Sequence, residues 1–209
     1  MSVIKGLRAA TARSPTTRKA VTVGTLASTG GLAAGEDVQS VARKLSAVDR
    51  CIEILSDSMA KLPSFVIDNR SRERLSHDIL YLLNVRPNEA MTPFVRKKVL
   101  ETSRLEGGNG YDWIIRDPST GLPKELIPVP WQLVQQWHDE IGRIWYDITH
   151  PLTGELMRLP NEDVCHYKNA TRNGLKGIGT LSRAEDVIAA ARAAQQYDAS
   201  YYQNGGQPG

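Results

Sequence analysis

The sequence is short of the residues from which most chemistry is built. Its 209 residues include two cysteines, four histidines and two phenylalanines. Cys51 and Cys165 stand far apart in the chain, which excludes a disulfide scaffold and a cysteine-rich zinc cluster and fits a reducing compartment. No stretch approaches roughly 18 consecutive apolar residues, so the sequence has no membrane-spanning helix and implies no membrane partner. Acidic residues are missing from positions 1–35, which carry Lys5, Arg8, Arg13, Arg18 and Lys19. The formal net charge of +3 comes from this opening: the other 21 basic residues (26 less these five) face 23 acidic ones, for −2. A protein that grips DNA by general charge attraction carries a strongly basic body. This body is mildly acidic.

The stretch from Ala20 to Gly35 follows a basic start, as in a signal peptide. Thr22, Gly24, Thr25, Ser28 and Thr29 break it up, leaving no compact apolar segment of the signal type. Residues 1–36 read as a flexible basic tail, because they bury too little apolar surface to offset the entropy of ordering.

Periodicity begins at Val41. Val41, Leu45, Val48, Ile52, Leu55, Met59 and Leu62 step by threes and fours, which predicts one helix with a core-facing stripe, stopped by Pro63. At about three heptads the stripe is short for a coiled coil. Phe65-Val66-Ile67 reads as a strand, Asn69-Arg70-Ser71 as a turn, and Ile79 to Leu83 as a short helix. Thr92-Pro93 is a helix start, with a capping residue followed by proline at the first position. Gly107-Gly108 is its end. From Gly110 to Lys168 the pattern changes to short strands at 111–115, 126–129, 143–148 and 164–167. Asp117-Pro118-Ser119-Thr120-Gly121 and His150-Pro151-Leu152-Thr153-Gly154 share one hairpin chemistry without forming a repeat. Ser182-Arg183-Ala184-Glu185 reads as a capping box that opens an alanine-rich helix to about Tyr202. The fold class expected is α+β: N-terminal helices, an antiparallel β-rich middle and a long C-terminal helix.

Catalytic patterns are few and incomplete. Gly174-Leu175-Lys176-Gly177-Ile178-Gly179-Thr180 has the glycines of a phosphate loop but lacks its Gly-Lys-Ser/Thr ending. His77, His138, His150 and His166 form no pair at helical ligand spacing, so no metal site is expected. Cys165 and His166 are neighbours on one strand and point to opposite faces, which leaves Cys165 an inert thiol. Trp113, Trp131, Trp137 and Trp145 crowd the β-rich region, where they read as core or interface or as a stacking surface. No catalytic residue and no cofactor is expected.

One arrangement of motifs resembles the portal proteins of tailed phages, the HK97 family. Gly108-Asn109-Gly110-Tyr111 after an amphipathic helix is similar to the family's Gly-Asn-Ala-Tyr segment. In family order stand Leu62-Pro63, then Leu83 with Arg86-Pro87-Asn88 and Met91-Thr92, then Leu126-Ile127-Pro128-Val129. Glu162-Asp163-Val164-Cys165-His166-Tyr167 resembles its Glu-Asp-Val-Ile-His-Ile strand, with Cys165 and Tyr167 as departures. Gly174 to Leu181 matches a loop usually ending in Ser-Pro, here replaced by Gly179-Thr180, and Asn204 to Gly209 resembles Asn-Gly-x-x-Pro-x-Gly. The resemblance covers about Ala47 to Gly209 and marks Gly108, Asn109, Tyr111, Pro128, Asp163, His166 and Gly177 as structural motif residues. It implies a portal body over 37–209, with wing-like helices, a β-rich region and a terminal helix leading into a second half. It implies a ring of copies of the chain, typically twelve, at one capsid vertex of the virion, made in the host cytoplasm. Such rings pass double-stranded DNA during packaging and ejection and dock the terminase, the head-tail connector and capsid proteins. As an N-terminal half, this chain alone is expected to form monomers or small oligomers.

Two other readings stay open. A nucleotide hydrolase needs a phosphate loop or a set of metal-binding carboxylates. Another phage connector, or a carbohydrate-binding module, would use the tryptophan-rich strands.

Overall fold

A computed structural model of the chain describes residues 37–151, 153–203 and 205. The basic tail, and most of the motif from Asn204 to Gly209, lie outside the described residues. The first predicted helix is in fact two, α1 (Val38–Lys44) and α2 (Ser46–Ala60), broken where Leu45 takes extended angles. The break lets Val41, Ala42, Leu45 and Ile52 converge on one core with Leu105, Leu181 and Ile188. It also turns the rest of the stripe. In the second half of α2 the buried residues are Ile52, Ser56 and Ala60, whereas Leu55 and Met59 are about half exposed. Small side chains let α2 pack closely on α4 (Pro93–Gly107), leaving the large ones outside.

Past Pro63 a small hairpin pairs β1 (Val66–Ile67) with β2 (Arg74–Leu75), and α3 (Ile79–Asn84) follows. Asn84 holds the Ser64 peptide in both directions, accepting from its N–H at 2.9 Å and donating to its carbonyl at 2.8 Å. Asn88 anchors the next bend: its amide donates to the Leu126 carbonyl and its oxygen accepts from Ala90 and Met91. Helix α4 starts and stops as expected. The Thr92 hydroxyl accepts from the Val95 N–H, Pro93 opens the first turn, and Gly108 closes the helix at φ 81°.

The strands are β3 (Asn109–Arg116), β4 (Pro123–Val129), β5 (Val134–His138), β6 (Ile144–Thr149), β7 (Leu156–Pro160) and β8 (Val164–Lys168). They form two antiparallel sheets, ordered β4-β3-β8 and β5-β6-β7. Strands β2, β5 and β7 are additions to the sequence reading. Gln135-Gln136 in β5 and Arg158 with Pro160 in β7 hide those two, since each is short and only half buried. The two matching turns do share one geometry. Gly121 donates to the Asp117 carbonyl at 2.8 Å, and Gly154 to the His150 carbonyl at 2.9 Å. Tyr111, Val129, Tyr146, Ile148 and Val164 fill the core between the sheets. The expected capping box is not formed. Ser182 lies inside α5 (Thr180–Arg183), and α6 (Glu185–Gln203) starts only after Ala184 bends the chain, with the Ala184 carbonyl accepting from Ile188. The whole is α+β, with helices packed to one side of antiparallel sheets.

Candidate functional site

The motif residues meet where α4 turns into β3. Left-handed Gly108 reverses the chain and delivers Asn109 into a fully buried position. There the Asn109 amide nitrogen donates to the carbonyls of Gly107 at 3.0 Å and Gly177 at 3.2 Å. Its oxygen accepts from the Gly177 N–H at 2.7 Å and faces His166 Nε2 at 2.9 Å. One side chain thus ties together the end of α4, the strand β8 and the loop before α5. Asn169 adds a second tie, donating its N–H to the Gly108 carbonyl at 2.9 Å. The backbones are nearly in contact: a methyl group on Gly177 would stand 1.9 Å from the Gly108 oxygen.

Asn109 also decides the state of His166. Its oxygen can only accept, so Nε2 carries the proton and Nδ1 accepts from the Tyr146 hydroxyl at 3.2 Å. Burial, with Lys168 and Lys176 nearby, pushes the imidazole down to about 4, which keeps it neutral. Tyr111 stacks on its face at 4.4 Å and Tyr146 meets it edge-on.

Gly108, Asn109, Tyr111, His166 and Gly177 therefore form one cluster. Pro128 is apart, on β4 opposite Asp112. Asp163 is at the far end of β3, accepting from Arg116 Nε at 2.7 Å on the surface. The sequence reading missed the ion pair beneath the cluster: Arg96 of α4 makes two hydrogen bonds to fully buried Asp112. Burial pushes the Asp112 carboxyl up, and the guanidinium works against that push. A lone acid in the apolar run Tyr111 to Ile115 was the available signal, because a buried carboxylate needs a partner. Ser103 was missed too; it bonds the Asn109 carbonyl and accepts from Trp131 N–H.

Other chemistry finds no support here. In the glycine-rich loop the N–H groups of Gly174, Leu175, Lys176, Gly177 and Ile178 are all bonded to acceptors within the protein, so none is aimed at an anion. Cys165 lies opposite Asp112, and burial pushes its thiol up, away from the reactive thiolate. Trp137 and Trp145 stack, but the Arg158 guanidinium sits 4.4 Å over the Trp137 ring and is bonded to Asp147, so that face is covered. Trp113 and Trp131 pack against the inter-sheet core. Among the described residues, no group of three or more His, Cys, Asp or Glu side chains is placed to hold a metal ion, and no helix is long and apolar enough to cross a membrane.

The family model for phage portal proteins matches residues 46–209. This chain belongs to the phage portal protein family. The family is a structural one, and the match spans every motif that forms the junction. Solved structures share the portal fold. The neck of an empty gene transfer agent particle, computed with C6 symmetry, is 22% identical with a TM-score of 0.69, covering 85% of this chain and 50% of that one. The virion of a native gene transfer agent particle gives 21% and 0.66, with coverages of 85 and 48%. The crystal structure of an HK97 family portal protein from Corynebacterium diphtheriae gives 23% and 0.56, with coverages of 81 and 52%. The portal chain described here thus spans about half the length of these chains. No curated protein matches it.

Proposed function

We propose that this chain is a structural subunit of a portal ring at one vertex of a viral or virus-like capsid. The ring forms the channel through which double-stranded DNA enters and leaves, and it docks the terminase and the head-tail connector. The family match over 46–209 carries this reading. The charge of the body supports it, since a mildly acidic wall lets DNA slide where many lysine and arginine contacts would hold it. Residues 1–36 serve as a tail on a body at 37–209, and the subunit has no catalytic role. Gly108, Asn109, Tyr111, His166 and Gly177 act as a structural lock, with Pro128 and Asp163 as framework positions on the adjoining strands. The subunit is made in the host cytoplasm and ends in the virion.

Quantitative mass spectrometry of purified particles tests the proposal. The expected result is close to twelve copies per particle, the symmetry of one gene transfer agent neck. Absence from particles, or the abundance of a shell protein, would overturn it. Oligosaccharide binding or nucleotide hydrolysis by the purified protein would favour the module or the enzyme instead.

A further inference from the structure

Asparagine followed by glycine occurs three times in the sequence, at Asn109, Asn173 and Asn204. Asn204 lies outside the described residues, and the fold treats the other two in opposite ways. Asn109 and Gly110 are both buried, and the Asn109 amide spends its nitrogen and its oxygen on the junction. Asn173 and Gly174 are exposed, on a loop bridged at its ends by Thr171 and Gly177. Asn173 Oδ1 accepts from the N–H groups of Leu175 at 3.0 Å and Lys176 at 3.2 Å. This turn folds Cγ back over the intervening Gly174 nitrogen. The Gly174 N–H donates to Thr171 Oγ1 at 2.9 Å, while the Thr171 hydroxyl donates to the Lys176 carbonyl. Asn173 Nδ2, by contrast, has no hydrogen-bond partner among the described residues. No acidic residue stands between Asp163 and Glu185, so Lys168, Arg172 and Lys176 set the charge around the loop.

We infer that Asn173 is a site of spontaneous deamidation, at which the folded loop turns its own asparagine into aspartate and isoaspartate. The Gly174 nitrogen attacks Asn173 Cγ, and its proton passes to water by way of the Thr171 hydroxyl. The N–Cγ bond forms, the Cγ–Nδ2 bond breaks, and Nδ2 takes up a proton and leaves as ammonia. Water then opens the cyclic imide, at Cγ to give aspartate or at the main-chain carbonyl to give isoaspartate. Nothing is oxidised or reduced. The Leu175 and Lys176 N–H groups and the surrounding cations stabilise the negative charge that builds on Oδ1. Gly174 has no side chain to obstruct the approach. Isoaspartate routes the main chain through Cγ and lengthens the segment that carries Gly177 to Asn109, so the modification loosens the junction.

Incubation of the purified chain in warm, mildly alkaline buffer tests the site, read by peptide mass mapping and by enzymatic methylation of isoaspartate. Asn173 should convert about tenfold faster in the folded protein than in guanidinium, because the fold positions and polarises its amide. Asn109 should do the reverse and convert only once the protein is denatured. N173Q should abolish the isoaspartate assigned to this peptide. T171V, with an unchanged circular dichroism spectrum, should bring the rate at Asn173 down towards that in guanidinium. Conversion of Asn173 that is slower folded than denatured would overturn the proposal, since the loop would then protect the amide. So would equal folded rates at Asn173 and Asn109, or a T171V variant that converts as fast as the wild type.

Discussion

The two ends of β3 are built from the same kinds of residue and do opposite things with them. At the inner end Gly108 has φ 81°, and a methyl there would meet the Ile178 and Gly179 backbone at 2.5 Å. At the outer end Gly121 has φ 71°, and a methyl would meet nothing within 4 Å. Asp112, near the inner end, is a fully buried carboxylate paired with Arg96. Asp163, at the outer end, pairs with Arg116 where water reaches both. Conformation and pairing alone therefore do not rank these residues. What ranks them is whether a second segment of chain lies against them, as the loop from Asn169 to Gly179 lies against the inner end.

The sharpest way to break this comparison is to remove one carboxylate from each end. D112A leaves the Arg96 guanidinium buried without its partner and should cost about 3–5 kcal/mol. D163A removes an exposed pair and should cost less than about 1 kcal/mol. Denaturant melts of the two variants measure the contrast, and equal losses would show that burial does not separate the two ends.

The glycines sharpen it next. G108A adds a left-handed alanine, about 1–2 kcal/mol, to a collision with backbone, about 1–3 kcal/mol more. G121A should cost the first amount alone. A smaller loss follows from N109A, which strands the Gly177 N–H and two carbonyls at the junction. About 2 kcal/mol is expected, together with faster proteolytic cutting between Asn169 and Gly179.

Much of this organisation was legible in the sequence because it depends on local chemistry. The Thr92-Pro93 start and Gly108 stop of α4, the Asp117 and His150 turns, and the apolar runs of β3 and β4 each announce themselves within a few residues. The failures came where distant contacts decide. Stepping by threes and fours could not show that Leu45 breaks the first helix, because the break is settled by packing against Leu105, Leu181 and Ile188. Nor could it show that Ser56 and Ala60, not Leu55 and Met59, face α4. The capping box failed for a similar reason: bonds from the Asn169 side chain to the Ile178 carbonyl and the Thr180 hydroxyl help start a helix two residues before Ser182. At the junction, Gly108 and Asn109 could be read as a turn, but their link to Gly177 and His166 required the fold.

The finest test of the inner end is its pH dependence. His166 is held neutral by burial and by Lys168 and Lys176, with its imidazole pushed down from 6.5 to about 4. Around it, the Asn109 oxygen accepts from Nε2 and Nδ1 faces the Tyr146 hydroxyl, so an added proton on Nδ1 requires that hydroxyl to turn its own proton to the Asn161 side-chain oxygen. The unfolded chain takes up a proton at this position below about pH 6.5 while the folded one resists until about pH 4. The contribution of His166 to stability is therefore fully present above pH 6.5, is lost as the pH falls towards 4, and changes no further below that. At pH 5.5 the loss should be about 1 kcal/mol, after discounting for the partial exposure of the ring. Carboxylates titrate in the same range, so the quantity to measure is the difference between the wild type and H166Q in denaturant midpoint at pH 7.5 and 5.5. H166Q should be less stable than the wild type at pH 7.5, and the gap should narrow at pH 5.5, since only the wild type carries the proton penalty. A gap that stays constant would mean that His166 titrates alike folded and unfolded, and that the inner end is as open to water as the outer one.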